Sequence, residues 1–496
     1  MRRLLLSLSL SVAVLGGCAT VENPVTGEAE RTVMDVQTEI AEGRKAHPQI
    51  LAEYGEYKDP KLQAYVDELG QRLARHSHRS ELKWHFTVLD SPEVNAFALP
   101  GGYVYVTRGL MAYMESEADL AGVIAHEIGH VTARHGSQRA TRQQTAGLGV
   151  LAATILGAVL EGRGVSGAAD LASQVSQGVA AGYVASYGRG QELQSDQLAA
   201  EYLARAGYDP KNMIDVIRVL QDQERYAADL ARAQGREPRG DAGSWLASHP
   251  SNEQRLDEIT EIASRYQGSY AQDEGRARYL RMIDGLPFGE SREQGLTRGR
   301  NFYHEPLGFA LTAPAGWRIR NAPDALLVAS PEGSAGLVMR PVPPDAGRSH
   351  EEILRKVLQP EQGRTERFSV NGMPATRFVG VRRNAQGAAQ PVDATVVTGP
   401  GNRPYLFLQA ARDRAALQQA APRLQEALAS FRPMSAADRS AARPWTLRTV
   451  PYPRGGFEQL ARQSALDENA LQQLRLLNGV YASGEPRPGQ LVKIVQ

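Results

Sequence analysis

Apolar residues recur at helical spacing through 117–135, EADLAGVIAHEIGHVTARH. Leu120, Val123, Ile124 and Ile128 fall on one side of a 3.6-residue period, which predicts a helix with one apolar face. Ser116, three residues ahead of Asp119, supplies a variant capping box at its start. The same period returns at Leu193, Leu198, Tyr202 and Leu203, and Gly207 predicts the stop of that second helix. Residues 33–54, 61–76, 208–230 and 252–266 also read as helices, whereas 84–89 and 103–107 are strand-like. The first half of the chain, 34–285, is therefore predicted to be mainly helical with a small β-sheet.

Beyond 285 the pattern changes. Residues 284–300 read as a linker, and 302–432 mix short strands (309–312, 326–329, 337–341, 376–381, 394–397, 405–410) with helices at 351–358 and 415–431. This is an α+β pattern, with Asn371-Gly372 as a hairpin turn. A second linker at 434–444 precedes a short module, 446–496, whose order is strand, helix, helix, strand. Between the two main helices of the first half, apolar runs at 148–160 and 165–184 fall short of a bilayer span and are predicted to cover a cleft as a lid or plug, with membrane contact as the alternative. Residues 232–243 form a polar, glycine-rich loop.

A chain of 496 residues with 42% hydrophobic content can bury several cores. Its formal net charge of +1 implies no strong electrostatic preference for nucleic acid or membrane surface, and no nucleic-acid partner is expected. Cys18 is the only cysteine, which excludes an intramolecular disulfide and any cysteine-rich metal site. It follows a targeting segment, 1–17, with Arg2 and Arg3 ahead of an apolar run from Leu4 to Leu15. Residues 18–33, with Pro24 and Gly27, read as a tether.

The candidate chemistry lies on the two helices. His126-Glu127-Ile128-Gly129-His130 is an H-E-x-x-H pattern, which stacks both imidazoles on one helix face where they can share a zinc ion. Glu127 lies beside them as a general base. Gly129 leaves room for another segment to approach. A third ligand is needed, and Glu192 is the best candidate. Asp196, four residues on, shares its face and can accept the N–H of a ligating histidine. His47, His76, His78 and His85 lack ligand spacing and read as structural or exposed.

These residues resemble the gluzincin metallopeptidases that include the CAAX prenyl proteases, HtpX and the BepA-like proteases. Three further stretches carry the resemblance: Asn95-Ala96-Phe97 through Pro100-Gly101-Gly102, Tyr187-Gly188-Arg189, and His249-Pro250 with Arg255. A glycine stands at 188 where the family usually has serine. The resemblance covers about half the chain and implies an endopeptidase with one Zn2+ and polypeptide substrates. It implies a substrate-binding edge strand at Asn95, Ala96 and Phe97, and a regulatory or transition-state role for His249 and Arg189. His249 is either a hydrogen-bond donor to the transition state or a fourth ligand that silences the enzyme.

Leu15-Gly16-Gly17-Cys18 resembles a bacterial lipobox, which implies lipidation of Cys18 and anchoring in the periplasm, at the outer membrane. The 446–496 module resembles LysM, although Pro453-Arg454-Gly455-Gly456 stands where such modules carry a G-D-T turn. It is expected either to bind peptidoglycan or to dock on protein through Leu460, Leu474 and Leu477. The resulting reading is a zinc endopeptidase acting on envelope proteins. Its rivals are a non-catalytic chaperone or assembly factor, and a peptidoglycan-associated binding protein.

Overall fold

The computed structural model describes residues 19–142, 187–233, 235, 249, 253–322, 325–383, 389–466 and 469–496. Cys18 and its leader, the apolar runs at 148–160 and 165–184, and most of the 232–243 loop lie outside the described residues. None of the described helices is long and apolar enough to cross a membrane.

The chain divides into two compact units. The first contains the described residues up to Phe288 and, rejoining it, Trp445–Gln496. Its centre is the helix Glu117–Thr132. Ser116 Oγ accepts from the Asp119 N–H, while the Asp119 carboxylate accepts from the Ser116 and Glu115 N–H groups, completing the capping box. One apolar face was the expectation, yet every residue of this helix is buried. Its polar side is enclosed too, because it carries His126, Glu127 and His130 into the interior. The helix Arg189–Arg205 crosses against it where Gly129 leaves space. A Cβ on Gly129 would lie 3.1 Å from Ser195 Cα.

A three-stranded sheet packs beside this pair. His85–Leu89 runs parallel to the central Tyr103–Thr107, and Ala96–Leu99 lies antiparallel on its other side as an edge. The last two strands are joined through Gly101 and Gly102 at φ 83° and 96°. At Gly101 a Cβ would come within 2.7 Å of Ile40 Cα, so the turn needs glycine for space as well as for its left-handed backbone. Helices Val36–Tyr54, Pro60–Ala74, Asn212–Ala233, Glu253–Ser264 and Arg276–Ile283 complete the mainly helical unit. The presumed tether begins as a hairpin, Ala19–Glu22 against Ala29–Thr32. Asn23 Oδ1 accepts from the Val25 and Thr26 N–H groups at its turn, and Asn23 Nδ2 donates to Ala133 O.

Trp445–Gln496 has the expected order of strand Trp445–Pro451, helices Gly456–Gln463 and Ala470–Leu477, and strand Leu491–Val495. It does not form a unit of its own. Trp445 and Thr446 pair with Phe288 and Pro287, two residues inside the presumed 284–300 linker. Leu447, Leu460, Leu474, Leu477 and Ile494 belong to the same apolar core as Leu120 and Ile124. Lys493, fully buried, donates from Nζ to Ala112 O (2.9 Å) and Met114 O (2.7 Å) and pairs with Glu115 (2.7 Å). Tyr481 donates to Asp229, and a Cβ on Gly479 would lie 3.4 Å from Glu115 Cγ. The Asn478-Gly479 turn thus lies against Glu115, just ahead of the central helix.

The second unit, described over 289–444, is built on a seven-stranded antiparallel sheet from Arg318–Ala322 at one edge to Pro360–Val370 at the other, with a four-stranded sheet from Leu296–Arg298 to Arg432–Pro433. Helices His350–Leu358 and Arg414–Ala429 pack on the larger sheet. Pro360–Val370 escaped the sequence pattern because its side chains are almost all exposed, leaving no apolar alternation to detect. The presumed linker 434–444 contains the short helix Ala436–Ala441.

Candidate active site

Two helices and one short segment converge inside the first unit. His126 and His130 come from Glu117–Thr132, Glu192 from the first turn of Arg189–Arg205, and His249 from just ahead of Glu253–Ser264. All four are buried, and one ligand atom from each lies within 4.8 Å of the others, a group that could hold a metal ion. His126 Nε2 is 3.0 Å from His130 Nε2 and 3.2 Å from His249 Nδ1. The Glu192 carboxylate reaches His126 Nε2 at 3.5 Å, His130 Nε2 at 3.4 Å and His249 Nδ1 at 2.9 Å. Imidazole nitrogens with one carboxylate are the donor set that zinc takes in hydrolytic sites. Glu127, fully buried, lies 3.5 Å from the other nitrogen of His249.

Asp196 sits one turn after Glu192 and accepts from His126 Nδ1 at 2.9 Å. Arg255 holds that carboxylate with two bonds, Nε to Oδ2 (2.6 Å) and Nη2 to Oδ1 (2.8 Å). Arg255 Nη1 also stands 3.2 Å from Glu192 Oε2. Sequence spacing marks Arg255 only as part of a motif; the structure shows that it orders two carboxylates at once.

Electrostatics follow from this wiring. Burial works against ionised Glu192 and Asp196, but the surrounding histidines and Arg255 outweigh it and keep both carboxyls below their usual range. Burial also works against charged His126, yet its bonds to Asp196 and Glu192 lift it to about 9. Burial holds His130 well below its ordinary value.

His135, five residues after His130, has no ligand spacing and was missed in the sequence. The helix ends in a turn through Arg134, whose φ of 61° reverses the chain. His135 Nδ1 thereby comes 2.9 Å from His130 Nδ1, and His135 Nε2 lies 2.9 Å from Gln194 Oε1. Burial pushes His135 down to about 4. Tyr187 stacks on His130 with ring centroids 3.9 Å apart, and Arg139 lies over the Tyr187 ring.

A pocket beside His130 is lined by Ala98, Leu99, Pro100, Arg139 and Tyr187. The expected substrate strand is thus an edge strand next to the histidines, but Ala98 and Leu99 face the pocket, not Asn95, Ala96 and Phe97. Asn95 is fully buried beside Thr107. Arg189 is exposed at the start of its helix and does not join the cluster. His47 bonds Tyr105 and His78 bonds Tyr202, both away from it. Among the described residues no second group of potential metal ligands occurs.

Comparison with known proteins bears on the same segment. The model of Peptidase family M48 matches residues 60–263. The chain is similar to a beta-barrel assembly-enhancing protease of Yersinia pestis, 28% identical over 246 residues, covering 49% of this chain and 47% of the relative. A protease of the same description from Escherichia coli K12 is 29% identical over 237 residues, covering 47% and 45%. The mitochondrial metalloendopeptidase OMA1 of Schizosaccharomyces pombe is 27% identical over 243 residues, covering 48% and 65%. The chain spans about half the length of the first two relatives. Residues 60–263, which the Peptidase family M48 model matches, supply every member of the buried histidine and carboxylate cluster, and the match supports a zinc metallopeptidase of the HtpX and BepA type.

Proposed function

We propose that the whole chain is a zinc-dependent endopeptidase of the bacterial cell envelope that processes or clears periplasmic and outer-membrane proteins. The observation that carries this reading is the buried convergence of His126, His130 and Glu192 with Glu127 on the same helix. The envelope assignment leans on relatives described as beta-barrel assembly-enhancing proteases. The lipobox-like Leu15-Gly16-Gly17-Cys18 adds attachment through Cys18 at the outer membrane.

His126, His130 and Glu192 would hold the ion. When bound, zinc supplies Lewis-acid polarisation and lowers the pKa of water. Glu127 takes the proton of the attacking water and later gives it to the departing amine nitrogen. Asp196 keeps the His126 Nδ1 proton in place and so leaves Nε2 as its lone-pair nitrogen. Arg255 fixes Asp196 and steadies Glu192. The edge strand Ala96–Leu99 offers main-chain groups to an extended peptide by strand addition, with the pocket at Tyr187 receiving a side chain.

His249 gives the resting centre a second feature. Its Nδ1 stands among the ligand atoms and its other nitrogen is near Glu127. This nearness to both the ligand atoms and the base favours the silencing role. The LysM-like order of 446–496 suggests wall contact, but its Asn478-Gly479 turn faces Glu115, which favours docking within the chain.

The test is paired. Glu127→Gln retains zinc and loses about 10²–10⁴-fold in hydrolysis of an unfolded protein substrate. Glu192→Ala loses zinc and activity together. Hydrolysis by purified Glu127→Gln at the wild-type rate rules the mechanism out.

A further inference from the structure

We propose that His135 is a positioning residue that fixes His130 as a zinc donor by accepting its Nδ1–H, and that Gln194 sets the direction of this relay. The inference rests on the zinc reading above and concerns how the second histidine of H-E-x-x-H is held.

His130 Nε2 faces the cluster, 3.0 Å from His126 Nε2 and 3.4 Å from Glu192. A neutral imidazole that binds metal through Nε2 carries its proton on Nδ1. The group opposite Nδ1 must then be an acceptor. For His126 that partner is Asp196, a carboxylate that can only accept. For His130 it is His135 Nδ1 at 2.9 Å, and a neutral histidine nitrogen either donates or accepts. His135 Nδ1 accepts only when its own proton sits on Nε2, and that nitrogen meets Gln194 Oε1 at 2.9 Å. One direction satisfies all three groups: His130 donates to His135, and His135 donates to Gln194. Reversed, the relay leaves the His130 proton on Nε2 and removes the lone pair that metal needs.

The surroundings are built for this contact. His135 is fully buried, and Ser195 Oγ lies 3.5 Å from its Nδ1. The turn that returns His135 to His130 is anchored by Arg134, which donates to Met34 O (2.6 Å) and pairs with Glu39 (3.2 Å). Glu192 as ligand and Gln194 as end of the relay come from one helix, so that helix serves both faces of His130.

The experiment uses the full chain carrying Glu127→Gln, prepared free of metal and titrated with zinc against a chromogenic chelator, with circular dichroism as the folding control. His135→Leu removes the acceptor, and zinc affinity falls by about 10–100-fold, the usual cost of losing such a partner. His135→Asn places Oδ1 near the former Nδ1, still accepts, and keeps most of the affinity. Equal affinity in His135→Leu and the parent overturns the proposal. So does an equal loss in His135→Asn and His135→Leu, which would leave only the bulk of the ring. Should His135→Leu not fold, Gln194→Leu at its half-buried position carries the test. Weakened zinc binding there supports the relay and unchanged binding overturns it. Absence of zinc binding by the Glu127→Gln parent refutes the zinc reading itself, a different result.

Discussion

Replacing Lys493 by Met is expected to destabilise the whole catalytic unit, not only the C-terminal segment. Lys493 Nζ has no exposure and makes two bonds to backbone carbonyls and one ion pair. Hydrogen bonds from charged groups contribute about 1.5–3 kcal/mol each, and removing one partner of a buried pair costs about 3–5 kcal/mol. These figures overlap and do not add. Glu115 Oε2 keeps Arg276 at 2.8 Å, but the buried Oε1 loses the Lys493 ammonium that faces it. Burial lowers the Lys493 pKa, so methionine of similar length relieves part of a desolvation cost. The expected net loss is about 2–4 kcal/mol. Amide hydrogen exchange measures it by segment: strand Leu491–Val495 and helix Glu117–Thr132 should both exchange faster, by roughly 30- to 1,000-fold for that loss. Faster exchange confined to the strand, with the helix unchanged, would refute the argument that they share one cooperative core.

His249→Ala should raise proteolysis, because its nitrogens occupy the ligand cluster and the neighbourhood of Glu127; a lower rate with zinc retained would assign it to the transition state, and an unchanged rate rejects both roles. His304 is pushed down to about 4 by burial, so it stays neutral while an unfolded histidine protonates near its ordinary 6.5. Its contribution is therefore complete above pH 6.5 and is lost as pH falls from 6.5 to about 4; denaturant titrations should show a flatter acid limb for His304→Phe, and identical limbs would refute this. Cys18→Ser should yield an uncleaved or unanchored protein, and mass spectrometry finding an unmodified mature N-terminus elsewhere in the wild type would reject lipidation.

The parts legible in the sequence were those with local periodicity. The helices bearing His126, Glu127, His130, Glu192 and Asp196 are set by apolar spacing and capping, and their facing residues by the i, i+4 geometry. Three features were not legible, each for a physical reason. Pro287–Phe288 is too short for any pattern and becomes a strand only by pairing with Trp445 and Thr446. Lys493 looks like an exposed strand residue until Ala112, Met114 and Glu115 surround it. His135 reaches His130 through a left-handed Arg134, a conformation that local propensity disfavours and that contacts with Met34 and Glu39 impose.

Phe288 and Trp445 are direct partners across two antiparallel strands, while 289–444 between them fold as a separate unit. The chain therefore leaves the first unit and re-enters it at one point, and the piece that closes its core is made only after 289–444. At translation rates of about 5–20 residues per second, the ribosome needs roughly 10–40 s after Phe288 to deliver it. During that interval Ala112, Met114 and Glu115 lack Lys493, and the apolar residues behind the H-E-x-x-H helix lack Leu474 and Ile494. Connectivity thereby acts as a clock. The helix that carries His126, Glu127 and His130 gains these packing partners only after 289–444 has been made.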